Sequence, residues 1–280
     1  MIDLFISLLS TELFVIRSVM SESNKIVLVT RPQQQAAEFI GLLKDKGINS
    51  LPFPSIEIQA VELNQSLKKI LDTLNRFDLI FFISVNAVRY AEKALLQAGI
   101  EPDSITAKIA TIGKATFAVA KSSGFNVTLS PDNGFNSDSL LALNELQAEY
   151  ISNTQCLIFR GAGGLDYLSN ELQKRGAQVQ YAEVYKRTKP LEDKGISRLQ
   201  LSEDWSGQRI SVITVTSNES LQNLYDMLER PGKDEILKTP LVVASSRGFE
   251  LAKSLGFKTI QLASSAMNHH MLEAVEKTLK

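Results

Sequence analysis

Continuous apolar runs alternate along this chain with stretches whose apolar positions recur every three or four residues. The run Lys25-Ile26-Val27-Leu28-Val29-Thr30 is rich in β-branched residues, as a strand buried on both faces should be. Arg31-Pro32 ends it. Over residues 33–46 the apolar positions Ala36, Phe39, Ile40, Leu42 and Leu43 share one helical face, and Gly47 stands where that helix should stop. Residues 49–54 form a second extended run. The same β-α-β order returns at residues 156–160, 165–175 and 178–184, with Gly176 at the helix stop. Residues 78–83 and 210–215 read as strands, each followed by a small polar turn and a helix. Residues 109–112 and 241–244 are the next strands, and 126–129 and 259–262 are short late ones. Strands alternating with helices of about ten to fifteen residues predict an α/β protein with parallel sheets covered on both faces.

Much of this pattern is written twice. Phe117-Ala118-Val119-Ala120-Lys121-Ser122-Ser123-Gly124-Phe125 returns, from 117 to 249, as Phe249-Glu250-Leu251-Ala252-Lys253-Ser254-Leu255-Gly256-Phe257, an offset of 132. The same offset carries Ser84 to Thr216, Asn86 to Asn218, Asn136 to Asn268 and Leu140 to Leu272. Earlier in the chain Arg31 maps to Arg160 and Gly47 to Gly176 at an offset of 129. The change of offset places an insertion in the second copy, near the loop around Trp205. One supersecondary unit used twice predicts two similar parallel-sheet α/β lobes with a ligand cleft between them. Residues 53–58 and 181–190 each follow the short β-α-β element of their copy and are the two linker candidates.

Composition narrows the chemistry. Of 280 residues, 44% are hydrophobic and 22% charged, enough apolar material for two modest cores. A formal net charge of −1 carries no nucleic-acid footprint, yet leaves room for a small anion held by a few local donors. Cys156 is the single cysteine and lies in an apolar run, so no disulfide framework forms within one chain and a reducing cytosol fits. Residues 2–19 are apolar-rich but interrupted by Asp3, Glu12 and Arg17, which makes neither a signal peptide nor a membrane span. Residues 1–24 are therefore expected to be an N-terminal extension, with Met20 reading as a natural start.

In parallel α/β sheets ligands bind beyond the carboxyl ends of the strands. The residues expected there are Thr30-Arg31, Ser84-Val85-Asn86, Gly113-Lys114-Ala115-Thr116, Arg160-Gly161-Ala162-Gly163-Gly164, Thr216-Ser217-Asn218 and Ser245-Ser246-Arg247-Gly248. Hydroxyls, amides, glycines and arginines at helix starts suit an anion, although each Ser or Thr singly also suits a helix cap. The glycine cluster is no dinucleotide loop, since Asp166 occupies the place of the third glycine in Gly-x-Gly-x-x-Gly. His269 and His270, the only histidines, are adjacent and would diverge by about 100° on a helix, which disfavours a shared metal ion. Tyr185 lies in the second linker candidate beside Lys186, Arg187 and Lys189. Its hydroxyl could face a ligand, or its ring could serve packing between lobes.

In order and spacing these motifs resemble the uroporphyrinogen-III synthase family over residues 25–280. The carriers are Val29-Thr30-Arg31-Pro32, Phe82-Ile83-Ser84-Val85-Asn86-Ala87-Val88, Gly113-Lys114-Ala115-Thr116, Arg160-Gly161-Ala162-Gly163-Gly164, Tyr185-Lys186-Arg187 and Thr216-Ser217. One departure is Ser245-Ser246-Arg247-Gly248, which stands where many members have a second Gly-x-x-Thr turn.

The resemblance implies a first lobe built from residues 25–55 and 187–280, a second lobe from 56–186, and a two-stranded linker joining them. It implies cyclisation of hydroxymethylbilane with loss of water and inversion of the last pyrrole ring, giving uroporphyrinogen III on the route to haem. The path runs through an azafulvene and a spiro intermediate, with no metal or organic cofactor. Tyr185 is the expected catalytic residue, at the departing hydroxyl. Arg31, Ser84, Asn86, Gly113, Thr116, Arg160, Gly161, Thr216, Ser217, Ser245 and Arg247 are the expected substrate contacts. A cytoplasmic lyase is expected, with the linear tetrapyrrole as its ligand and neither nucleic acid nor a membrane span as partner. A transient contact with the preceding pathway enzyme and a monomeric state complete the expectation. The alternative reading is a non-catalytic two-lobed sensor module for a small polyanion.

Overall fold

The computed structural model describes residues 25–134, 136–190, 210–228 and 232–280. The expected N-terminal extension and the insertion near Trp205 lie outside the described residues. The chain divides into two units: the described residues of Met1–Glu57 and Thr188–Lys280 form one, and Ile58–Arg187 form the other. Along the chain run β1 (Ile26–Val29), β2 (Asn49–Pro52), β3 (Glu57–Ala60), β4 (Leu79–Phe82), β5 (Lys108–Thr111) and β6 (Val127–Leu129). They are followed by β7 (Gln155–Gly161), β8 (Gln178–Thr188), β9 (Ile210–Val215), β10 (Leu241–Val243) and β11 (Ile260–Leu262).

In the first unit the sheet order is β11-β10-β9-β1-β2, with every neighbouring pair parallel. Side chains alternate across it with the period of two that a strand imposes. Leu28, Ile213, Val215, Leu241 and Val243 face the cluster formed with helices Asn218–Met227 and Ser246–Leu255. Val27, Val29, Val212 and Val242 face the opposite cluster, formed with helices Gln33–Asp45 and Asn268–Leu279. The apolar run in β1 is continuous because both faces are covered. Helix Gln33–Asp45 is followed by Gly47 at φ 70°, a left-handed conformation that glycine adopts without steric penalty.

In the second unit the order is β3-β8-β7-β4-β5-β6, with β4 to β8 running parallel. Ile80, Phe82, Ile109, Leu157 and Phe159 pack toward helices Val85–Gln97 and Lys114–Ser122. Leu79, Phe81, Ala110, Cys156 and Ile158 pack toward helices Ser137–Leu141 and Tyr167–Lys174. Phe82 stacks on Phe159 at 5.3 Å between centroids and meets Phe125 edge-on at 4.7 Å. Burying such a ring contributes about 1.5–3 kcal/mol over leaving it in water.

The α/β class and the parallel sheets agree with the sequence pattern. The strand expected over residues 178–184 is longer: β8 continues to Thr188, with one register shift against β7. Tyr185 therefore belongs to a strand and contributes to the core of the second unit. Among the described residues no helix is long and apolar enough to cross a membrane.

Both sheets have a point where the chain reverses its direction of growth. In the second unit β5 and β6 are laid on one side of β4, and β7 and β8 on the other. In the first unit β2 flanks β1 on one side, and β9 to β11 extend from the other. The β4/β7 and β1/β9 junctions are thus switch points, and the crevice beyond their strand ends is where open α/β sheets take ligands.

Candidate active site

At the β4/β7 switch point Ser84 follows β4, and Arg160 and Gly161 end β7. Ser84 is the N-cap of helix Val85–Gln97: the backbone N–H of Ala87 donates to its Oγ at 3.0 Å. Asn86 sits half-buried in the first turn of that helix. Tyr185, only 6% exposed, brings its Oη to 3.4 Å from Ser84 Oγ, and either hydroxyl can donate. The Tyr185 ring lies tilted against Tyr90, 5.6 Å away.

The placement of Tyr185 depends on an irregularity in β8. Arg160 pairs with Glu183 but the next residue, Gly161, pairs with Tyr185, so Val184 is an extra residue in the ladder. Such a bulge re-aims the side chain that follows it. A Cβ on Gly161 would lie 2.5 Å from Cε2 and 2.6 Å from Cζ of Tyr185, so the ring rests directly on the glycine and no larger residue fits. Arg160 is almost fully buried beside them. Its Nη1 donates to Asp166 Oδ1 at 2.8 Å, its Nη2 to the Gly164 carbonyl at 2.5 Å, and its Nε to the Gly161 carbonyl at 3.3 Å. Glu183 Oε1 lies 3.7 Å from Nε, and the guanidinium stacks 4.1 Å from the Tyr181 ring centroid. The hydrogen bonds from Arg160 and Tyr181 hold the Asp166 carboxyl below the usual carboxylate range.

Gly113 precedes helix Lys114–Ser122 and offers no side-chain cap, while Thr116 is buried in its first turn. At the end of β5, two residues before Gly113, Thr111 buries its Oγ1 without a protein partner.

The first unit treats its switch point differently. Arg31, which follows β1, donates from Nη1 to Asn268 Oδ1 and from Nη2 to the Ala266 carbonyl at 2.7 Å. Burial pulls its pKa below the ordinary arginine value, and nearby Glu38 opposes that pull. Beside it Thr30, Ser55 and Ser220 form a buried hydroxyl cluster. Ser55 Oγ is 2.6 Å and Thr30 Oγ1 3.0 Å from Ser220 Oγ, and Thr30 Oγ1 also donates to the Thr214 carbonyl at 2.8 Å. Ser217 caps helix Asn218–Met227, accepting from Ser220 N–H at 3.1 Å, with Thr216 half-buried before it. Ser245 caps helix Ser246–Leu255, accepting from Gly248 N–H at 3.1 Å, and Arg247 is exposed in the first turn.

The second unit brings Ser84, Arg160, Gly161 and Tyr185 into one constellation, while Arg31 and Arg160 are both engaged with acceptors of their own unit. Ser84, Ser217 and Ser245 act as helix caps. A capping hydroxyl accepts one hydrogen bond and retains its own hydrogen, so each can still donate to an anion at the helix start. Sequence reasoning missed the Thr30-Ser55-Ser220 cluster, whose members are isolated residues from three segments. It also missed the bulge at Val184, which no residue type announces. It read Asp166 only as a missing glycine, although a carboxylate six residues after a buried arginine could have suggested the ion pair.

The fold and its turns define a parallel α/β protein of two units whose hydroxyl and backbone donors suit an anionic ligand. A family model described as uroporphyrinogen-III synthase HemD matches residues 37–273. The chain is 31% identical over 252 residues to uroporphyrinogen-III synthase of Salmonella typhimurium, covering 89% of this chain and 99% of that one. It is 30% identical over 251 residues to uroporphyrinogen-III synthase of Escherichia coli, with the same shares covered. Its fold is similar to the crystal structure of uroporphyrinogen-III synthetase from Helicobacter pylori, with a TM-score of 0.56, 13% identity, and 91% of this chain and 100% of that one covered. The chain belongs to the uroporphyrinogen-III synthase family.

Proposed function

We propose that this chain cyclises hydroxymethylbilane to uroporphyrinogen III, inverting the last pyrrole ring, as a hydro-lyase of the cytoplasm that works as a single chain. The reading is carried by the meeting of Tyr185 and Ser84 at the β4/β7 switch point of a family member. The bilane's hydroxyl takes the Tyr185 proton and leaves as water, and the substituted carbon of the last pyrrole bonds to the azafulvene carbon. The spiro intermediate then breaks the bond from that substituted carbon to the preceding methylene bridge, and the free α-carbon of the ring recloses on that bridge and loses its proton, which restores the tyrosine. The sequence is redox-neutral, so no electron acceptor is required. Tyr185 Oη donates to the departing hydroxyl, with Ser84 as its hydrogen-bond partner. Within the second unit the carboxylates are gripped by Asn86, Gly113 and Thr116 at the strand-end turns. Because the bilane closes unaided to the uninverted isomer, the protein's contribution is chiefly orientation.

The test is an isomer assay on the purified chain supplied with freshly generated hydroxymethylbilane. The inverted isomer should dominate without added cofactor. Formation of only the uninverted isomer at the spontaneous rate would overturn the proposal. Tyr185→Phe should lower turnover at least several-fold, and by about 10²–10⁴-fold if the proton donor is fully used. Unchanged turnover would remove the tyrosine from the chemistry.

A further inference from the structure

We propose that Arg160 is a positioning residue for Tyr185, acting through the Gly161–Gly164 loop rather than by contact with substrate. This inference rests on the catalytic reading of Tyr185.

The geometry forms a chain of contacts. The guanidinium is 4% exposed with its residue, and Nη1, Nη2 and Nε are directed to Asp166, the Gly164 carbonyl and the Gly161 carbonyl. Asp166 and Glu183 balance its charge, and Tyr181 covers its face. An arginine so enclosed has little to offer a carboxylate from outside. What it does hold is the loop. Two loop carbonyls converge on it, and Gly164 packs so closely that a Cβ there would stand 3.2 Å from Nε. Gly163 adopts φ 69°, and its N–H lies 3.3 Å from Glu183 Oε1, so the second carboxylate on Arg160 also ties the loop to β8.

The loop in turn locates Tyr185. Ala162 N–H donates to the Tyr185 carbonyl at 2.8 Å, and Gly161 supplies the surface against which the ring lies. Any movement of Gly161 must move either that ring or that hydrogen bond. Tyr185 Oη is already at the long end of hydrogen-bond distance from Ser84 Oγ, at 3.4 Å. Catalytic groups misplaced by about 1 Å can lose about 10²-fold in rate, so the effect of losing Arg160 should fall on kcat.

The experiment compares Arg160→Gln, Arg160→Lys, Asp166→Asn and Tyr185→Phe with the double variant Arg160→Gln/Tyr185→Phe in the full chain. Amide hydrogen exchange at Ala162 is followed alongside kinetics. Asp166 is exposed, so Asp166→Asn loosens the arginine without emptying a buried site. We expect Arg160→Gln to lower kcat about tenfold or more with little change in KM, and Arg160→Lys to recover part of it, since it keeps the charge without the fork. Asp166→Asn should show a smaller effect of the same kind. Ala162 N–H should exchange faster in both Arg160→Gln and Asp166→Asn. The double variant should be scarcely slower than Tyr185→Phe alone, because the arginine has nothing left to position. A raised KM with multiplicative losses in the double variant would assign Arg160 to substrate binding instead. Unchanged protection at Ala162 in folded Arg160→Gln and Asp166→Asn would overturn the positioning role whatever the kinetics. Normal turnover in Tyr185→Phe would overturn the underlying reading of the tyrosine and the inference with it.

Discussion

At the scale of single residues, small polar groups decide what each switch point can do. Ser220 is the centre of the Thr30-Ser55-Ser220 cluster, touching both partners. Without its hydroxyl Thr30 still donates to the Thr214 carbonyl and Ser55 to the Ser220 carbonyl, so the loss is the net value of the bonds to Ser220 Oγ and not that of an orphaned group. Ser220→Ala should therefore destabilise the fold by only about 0.5–1.5 kcal/mol, read as a lowered denaturant midpoint with unchanged slope. Asp166 gives the corresponding prediction for pH. Its carboxyl is held below its ordinary pKa by Arg160 first and Tyr181 second, so the folded state favours the charged form. That stabilisation is complete above the unfolded carboxylate range, near pH 3.9, and is lost as pH falls through the lower folded value. The gap in melting temperature between the parent and Asp166→Asn should thus be full at pH 7 and close as pH falls below about 4. A gap that persists at low pH would mean that Asp166 stabilises by some means other than its charge.

At the scale of elements, hydroxyl caps recur at the ends of β4, β9 and β10, where Ser84, Ser217 and Ser245 start their helices. Capping and anion binding can be separated at Ser245, because glycine caps a helix tolerably and alanine does not. Ser245→Ala should cost about 1 kcal/mol and Ser245→Gly only a few tenths. Both remove the donor. If that donor meets a substrate carboxylate, both variants should raise KM about tenfold, the equivalent of a hydrogen bond to a charged group at about 1.5 kcal/mol. Equal KM values for parent, Ala and Gly would leave Ser245 as a cap alone. The elements themselves were legible, since buried parallel strands demand long apolar runs and helix stops such as Gly47 and Gly176 demand left-handed backbone. The site was legible only in part. Strand-end turns can be located from the pattern, but whether Arg31 and Arg160 face a ligand depends on acceptors that other segments or the loop itself supply. The continuation of β8 past Val184 was illegible for a related reason: Tyr185-Lys186-Arg187 has the polarity of a linker, and only pairing with Gly161 makes its first residue part of a core.

At the scale of the whole molecule, the two units differ in how far apart in sequence their central strands lie. In the second unit the chain from β3 to β8 is continuous, whereas β1 and β9 of the first meet across the entire intervening unit, as the Thr30–Thr214 bond spanning 184 positions shows. Each sheet nevertheless has its own pair of hydrophobic clusters. A lesion in one core should therefore register first in that unit. Phe159 is fully buried, stacks on Phe82, and belongs to the larger cluster of the second unit. Phe159→Ala should cost about 3–5 kcal/mol, a large part of a domain stability of about 5–15 kcal/mol. Native-state hydrogen exchange is the decisive measurement. Amides of β4 and β7 should lose protection by that amount, while those of β1 and β9 change less. Equal losses at all four strands would show that the two units unfold as one cooperative body.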